Sequence, residues 1–486
     1  MKPSRLLAKL LWVGLSQAPL LAHAAQPGGD SESQIVKKLE DKVDSLTNEL
    51  EELKAEIRQL KAQGETLTQK QEAQAKVVEE QKATQGALQA EVKSTSDAIQ
   101  EVASKPSPLE NLSLWGYGEI YYTRPVHQPD LTQADLARAV FGIGYQFTPD
   151  TRFNSEFEVE HAVSSASDVG EFEVEQFYLD HTINPHLGLT TGLFLIPSGL
   201  LNESHEPTNF YGVQRNFVET LIIPSTWREG GINLHGTTDD GFRWSVGLTT
   251  GMDLSKWNFT PEYVPYRTAL ELEDNDVAPL QATHQELALA NAEHLATYVS
   301  GDYSGIAGLR VGGSLFTGGV VRNLPNIPDN ERVTLWEAHA RYNPGKLDLS
   351  ALYARGTLSN TAEANVQYPG TPNPIPASFY GWYLQAAYNV WQSGDYRLAP
   401  FVRYERYNMG ASYEGLAPGF GPTPSGLFPT SPVPNSFGTY PIPNDIVSTI
   451  GANFYTAPGV VFKVDYQHFN VNRDFSRLDL GMGLAF

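Results

Sequence analysis

Two runs of alternating acids hold the densest chemistry in this 486-residue sequence. Glu156, Glu158 and Glu160 take every second position of one run, and Glu171, Glu173 and Glu175 of the next. In an extended chain successive side chains point to opposite faces, so each triplet lines one face. Carboxylates crowded on one face repel unless cations, water or arginines compensate. Their chemistry is the attraction of cations in a wet environment, or a calcium site where the segment after Pro197 begins. Catalysis finds little support. Ser198 and Ser204 beside His205 lack the G-x-S-x-G turn of an exposed serine nucleophile. The 11 histidines show no H-E-x-x-H or comparable spacing, and the acids of ELEDNDV (271–277) lack the full calcium-loop pattern. VGGSLFTGG (311–319) reads as a close-packed strand, since no helix follows to complete a phosphate loop. With no cysteine, thiol and disulfide chemistry are excluded. No catalytic residue, resident metal or cofactor is expected.

A second concentration of charge lies in 198–228. Glu203, His205, Glu206, Arg215, Glu219 and Arg228 are mixed there with Phe210, Tyr211, Phe217 and Trp227. Just before it, Leu187, Leu189, Thr191, Leu193 and Leu195 alternate with Gly188, Thr190, Gly192 and Phe194, the period of a strand with one apolar face. Pro197 ends that strand, and the next runs from about Glu229 to Gly236. A loop of roughly thirty residues this rich in aromatics is ordered and functional rather than a linker. The expectation is that it folds into the lumen of a β-barrel and narrows it. Its six charged residues, with Glu156, Glu158, Glu160 and Glu173, are the expected pore-lining set.

The elements that must position these residues are strands. Sixteen candidates begin near Leu112, Leu136, Arg152, Glu171, His186, Glu229, Phe242, His294, Leu309, Arg332, Lys346, Phe379, Arg397, Ile446, Val460 and Arg477. Short turn sequences such as TPDT (148–151), NPGK (343–346) and TAPG (456–459) alternate with much longer connections, notably 198–228, 252–292, 358–377 and 410–442. That alternation predicts an all-β, 16-stranded antiparallel transmembrane barrel over 111–486, with both chain ends on the short-turn side. Sidedness agrees: Leu478, Leu480, Met482, Leu484 and Phe486 share one face of the last strand, and Arg477 and Asp479 the other. Arg or Lys facing mid-bilayer lipid costs ~2–4 kcal/mol, so charged faces belong to the lumen. Further lumen candidates are Glu337, His339, Arg341, Arg403, Glu405, Lys463 and Asp465. No run of twenty apolar residues is present, which excludes a helical membrane protein.

Ahead of the barrel, 1–24 reads as a signal peptide: basic Lys2, Arg5 and Lys9, a short apolar run, and Ala22-His23-Ala24 as the cleavage site. From 36 to 102 apolar and small or amide residues recur at alternating spacings of three and four. Val36, Leu39, Val43, Leu46, Leu50, Leu53, Ile57 and Leu60 form the strongest part of the seam. This predicts an α-helical coiled coil over 31–103, about 100 Å long, followed by a Pro-broken linker at 104–110.

The run GLFLIPSGLLNESHEP, through FYGVQRN to IIPSTWREGG, resembles the outer-membrane porins of the phosphate-selective porin O/P type. The resemblance implies a sixteen-stranded trimeric barrel for passive solute uptake in the outer membrane of a Gram-negative-type bacterium. Charge points elsewhere than phosphate: 111–486 hold 20 Lys and Arg, only three of them Lys, against 39 Asp and Glu. A balance of −19 favours cations and disfavours nucleic acid. The expected function is diffusion of small hydrophilic solutes or ions, with outer-membrane lipid and two further copies of the chain as partners. The coiled coil would sit in the periplasm and could hold peptidoglycan. The alternatives are a structural envelope protein that uses the barrel as an anchor and the coiled coil as a tether, and a barrel-borne lipase.

Overall fold

Alternating apolar and polar residues produce sixteen antiparallel strands, each starting within three residues of the position read from the sequence. The computed structural model describes residues 36–45, 47, 50–51, 54–55, 108–162, 170–259, 277–322, 329–369, 371, 373–416, 422–423, 426–427 and 443–486. Its strands are β1 (Leu112–Pro125), β2 (Gln133–Thr148), β3 (Thr151–Glu160), β4 (Phe172–Asn184), β5 (Leu187–Leu195), β6 (Arg228–Thr237), β7 (Phe242–Thr250) and β8 (Leu295–Tyr303). They continue as β9 (Leu309–Gly319), β10 (Arg332–Tyr342), β11 (Leu347–Leu358), β12 (Pro376–Tyr388), β13 (Tyr396–Tyr413), β14 (Asn444–Ala457), β15 (Val460–Phe469) and β16 (Arg477–Ala485). Trp391–Ser393 extends β12 along β13. Each strand pairs with its sequence neighbours, and β1 pairs with both β2 and β16, with Tyr117 opposite Val140 on one side and Ala485 on the other. The sheet is therefore a closed barrel, which leaves no edge with unpaired backbone groups.

The barrel inverts the polarity of a water-soluble protein. On β15 Phe462, Val464 and Tyr466 are exposed, whereas Lys463, Asp465 and Gln467 are buried. On β16 Leu478 and Leu480 are 39% and 46% exposed, and Arg477 and Asp479 are 1% and 0%. The same exposure of large apolar side chains recurs around the wall, from Phe141 and Ile143 on β2 to Leu384 on β12 and Ile450 on β14. A continuous apolar belt far exceeds the few-hundred-Å² patches that soluble monomers carry, and it fits hydrocarbon. No described helix is long and apolar enough to cross a membrane, so the strands are the only described elements that could.

One end of the barrel carries short turns and both ends of the strand sequence; the other carries the long connections. The apolar core lies inside the barrel, where the 196–227 loop packs its apolar face on the wall. Phe217, Val218, Leu221, Ile222 and Ile223 are almost fully buried there, around one turn of π-helix at Val218–Ile222. Gly381 on β12 permits the approach: a Cβ at that position would lie 3.0 Å from Ile222 Cγ1. The 251–294 connection adds Met252, Leu254, Trp257 and Leu280 to the same core.

The N-terminal unit is separate. Residues 36–45 are helical, as are 47, 50, 51, 54 and 55. Val36, Leu39, Val43 and Leu50, four of the expected seam residues, are 53–59% exposed in the single chain. The rest of the expected coiled coil, the signal peptide and 104–107 lie outside the described residues.

Candidate constriction site

The loop that narrows the lumen is tied at its neck. Ile196 N–H donates to the Trp227 carbonyl at 2.9 Å, continuing the β5–β6 ladder by one rung. The Asn202 amide caps this neck: Nδ2 donates to the Ile196 and Trp227 carbonyls (2.7 and 2.8 Å), and Oδ1 accepts from Trp227 N–H (2.7 Å). Farther in, Glu219 is the loop's internal staple. Its Oε1 accepts from Leu200 N–H and Leu201 N–H (2.6 and 2.8 Å), and its Oε2 from Asn216 Nδ2 and the Tyr383 hydroxyl (2.8 and 2.9 Å). A carboxylate so committed has a structural role, which corrects the expectation that Glu219 lines the pore.

Beneath the loop, the β10–β15 wall uses its charges in the same way. Glu405 Oε2 accepts from Phe217 N–H at 2.7 Å while Oε1 accepts from Arg403 Nε at 2.9 Å. Asp465 Oδ2 accepts from Val213 N–H at 2.6 Å, and Asn453 holds Gly212 N–H and the Phe210 carbonyl. Lys463 lies with its Nζ 3.5 Å from the centre of the Phe210 ring. His339 bridges Glu337 and Asp302, at 2.8 Å to each, and Asp302 also accepts from Arg310. Arg341 pairs with Asp348 at 2.6 Å. Arg403, Glu405, Lys463 and Asp465 face inward as the alternation requires. All four are buried under the loop: Glu405 and Asp465 accept its backbone N–H groups and Arg403 donates to the Tyr211 carbonyl, since backbone polar groups removed from water need partners.

The opposite wall, β1 to β4, meets the loop through His205 and Arg228 and borders two cavities. One, of 110 Å³, is bounded by Glu158, Glu160, Glu171, Glu173, Arg215 and Arg228 among others. The second, of 380 Å³, lies toward the short-turn end and is bounded by Glu156, Gln176, Asp180, Glu203, His205 and Glu206 among others. Of the ten expected pore residues, five border the first cavity and four the second; Glu219 borders neither. Opposite charges meet across the first: Arg228 pairs with Glu173 and with Glu286 (3.0 Å), and Arg215 donates to Thr226 Oγ1 at 2.9 Å.

Between the cavities the lumen is filled by Tyr117 of β1, Glu175 of β4 and His205 of the loop, all 5% exposed or less. The Tyr117 hydroxyl lies 2.9 Å from Glu175 Oε2 and 2.7 Å from His205 Nε2, and His205 Nε2 is 2.6 Å from Glu175 Oε1. Arg138 of β2 donates to Glu119 (2.8 Å) and to the His205 carbonyl (2.7 Å). Two β-bulges aim these side chains. Ala137 is unpaired in the β1–β2 register and Glu175 in the β3–β4 register. Each shifts the inward parity of its strand, the local effect of an extra residue. Tyr117, Glu119 and Arg138 were not singled out from the sequence. β1 is so rich in aromatics and glycine that its faces differ little in polarity.

One loop group near the site has a displaced titration. Burial, aided by Arg228 and Lys256 and opposed by Glu286, holds the His284 imidazole at about 4. Its Nδ1 lies 3.6 Å from Glu286 Oε1.

No protein-family model matches this chain. It is similar to an uncharacterized protein of Aquifex aeolicus (strain VF5), at 33% identity over 316 residues, 62% of this chain and 67% of the relative. Among solved structures, it is similar to OmpF of Salmonella typhi, in complex with daunomycin, with a TM-score of 0.49 and 13% identity over 77% of this chain and 98% of that one. An anion-selective porin from Comamonas acidovorans gives a TM-score of 0.43 and 12% identity over 77% and 99%.

Proposed function

The chain belongs to the same family as the uncharacterized Aquifex aeolicus protein, and we propose that it works as an outer-membrane porin for passive diffusion of small hydrophilic solutes or ions. The observation that carries this reading is the inverted barrel, apolar outside and charged inside, crossed by a long loop that packs on one wall and meets the other through His205 and Arg228. Such a loop reduces the lumen to polar passages bordered by the other wall. Six glutamates (Glu119, Glu158, Glu160, Glu171, Glu173 and Glu286) against four arginines (Arg138, Arg215, Arg228 and Arg477) border the first cavity, so we read the passage as drawing cations. Phosphate selectivity, the property in the name of the family that the sequence resembles, finds no cluster of lysines here. Assembly as a homotrimer and a periplasmic coiled coil that meets peptidoglycan belong to the same proposal.

A second reading, the barrel as anchor for an envelope tether, is favoured by one observation. Tyr117, Glu175 and His205 leave almost no exposed surface between the two cavities. Reversal potential in a planar bilayer under a salt gradient separates the two. A cation-selective current supports the porin with an acidic passage; an anion-selective current blocked by phosphate overturns the cation assignment; no current moves the function to the anchor.

A further inference from the structure

The plug between the cavities brings three buried side chains of metal-ligating type together. His205 Nδ1 faces the Asn202 carbonyl at 2.8 Å, an oxygen that can only accept, so Nδ1 carries the ring proton. The other ring nitrogen, Nε2, lies 2.6 Å from Glu175 Oε1. The Tyr117 hydroxyl lies within reach of both, 3.2 Å from Glu175 Oε1 and 2.7 Å from His205 Nε2, and has a single proton to donate. A proton on Nε2 or a metal ion can bridge these two buried atoms, and the surrounding ligands favour the ion. Glu156 stands beside them: one ligand atom each from Glu156, Glu175 and His205 falls within 4.8 Å of the others. Trp115 Nε1 (2.5 Å) and Gln176 Nε2 hold the Glu156 carboxylate in place. Arg138 is the nearby fixed cation, and it donates through Nε to Glu119 and through Nη2 to the His205 carbonyl.

The geometry points to a divalent transition-metal site, zinc-like in preference, made by Glu156, Glu175 and His205 with Tyr117 as a positioning residue. Three protein ligands with an open direction are a recurrent arrangement for zinc. Glu156 and His205 border the 380 Å³ cavity, which supplies that direction and a route of entry from the short-turn end. An imidazole among the ligands selects against calcium and magnesium, which take oxygen. The Nδ1 bond to the Asn202 carbonyl is the outer contact that fixes the tautomer of a metal-binding histidine. Around an ion of this class, donor atoms sit roughly 3 Å apart; a rotation of the Glu175 side chain supplies the change. Because His205 comes from the loop and both glutamates from the wall, the ion ties the two together and closes the section between the cavities. The effect on current rests on the porin reading; binding does not.

The test is titration of the purified full chain in detergent with zinc chloride, read by calorimetry and by elemental analysis after dialysis. The expected result is one zinc per chain, with affinity reduced at least tenfold by His205→Ala and by Glu175→Gln, and retained in excess calcium. Cobalt in place of zinc should give a visible d–d absorption that the two variants lose. Glu156→Gln serves as a third variant, since its neighbours Trp115 and Gln176 can still hold the amide and the loop contacts of His205 remain. No saturable binding to the wild-type chain, equal binding by all three variants, or displacement by calcium would overturn the site. In a bilayer, micromolar zinc should lower the wild-type current and lose that effect in His205→Ala. A chain that binds zinc but carries no current would keep the site and remove the porin reading.

Discussion

The two walls of the barrel are built from the same alternation yet use their inward charges differently. On β13 and β15, Glu405 and Asp465 accept backbone N–H groups of the 196–227 loop and are sealed beneath it. On β3 and β4, Glu158 and Glu173 meet no loop backbone and border a cavity. Glu158 is itself only 2% exposed, so what separates the walls is the backbone partner and not burial. A charge that faces into a barrel acts on solutes only where no backbone donor claims it first. The covered wall therefore governs the shape of the passage, and the uncovered wall its charge.

That division is open to direct challenge. The largest effect is expected from deleting 203–226, which removes the covering element itself. Single-channel conductance should rise severalfold while the heat-resistant barrel persists; an unaltered conductance would mean the loop does not partition the lumen. Next comes Glu219→Ala, which strands the Leu200 and Leu201 N–H groups and the Asn216 amide in a buried setting. We expect a loss of about 3 kcal/mol in loop stability, read as faster hydrogen exchange across 196–227. Substitution of Glu160 on the uncovered wall should leave exchange within the ~0.5 kcal/mol typical of surface changes. The double variant Glu158→Gln/Glu160→Gln tests the uncovered wall: the cation-to-anion permeability ratio should fall a few-fold with conductance nearly constant. A larger shift from Arg403→Gln would break the comparison, because that residue lies under the loop.

The smallest effect concerns pH. His284 titrates near 4 when packed and near 6.5 when its segment opens. The open form therefore binds a proton that the packed form refuses between these values. Stability of the 277–294 segment is complete above about pH 6.5, falls as pH drops toward 4 and is flat below. Proteolysis or exchange of that segment should follow this window, and His284→Gln should flatten it. A profile unchanged by His284→Gln would assign the response elsewhere.

Much of the fold was legible because a membrane barrel leaves a period-two record in every strand. The starts near Leu309, Arg332, Val460 and Arg477 coincide with the structure. So did the inward faces of β3 and β16, where charged and apolar residues contrast. The parity slip inside EFEVEQFYLD was present in the sequence. A bulge at Glu175 became visible only through the pairing of Gln176 with Glu156 and Val174 with Phe157. The loop's residues were identifiable, but their partners were not. His205 meets Tyr117 and Glu175 across 88 and 30 positions, and an irregular segment has no period from which to read such contacts. For the same reason Arg403, Glu405, Lys463 and Asp465 could be assigned to the inside but not to the buried side of the loop.

The neck at Ile196 and Trp227 has a consequence for how such a protein can diversify. Strands β5 and β6 are held in register by their own ladder up to this rung, and Asn202 seals the rung from within. To the barrel, everything between the two residues is an insertion at the tip of an ordinary hairpin. Its sequence can drift or be exchanged without disturbing strand pairing, provided that the neck and the acceptors at Glu405 and Asp465 are kept. The scaffold and its filter are in this sense separately heritable parts, and a cassette grafted between these two residues inherits a wall prepared to receive it.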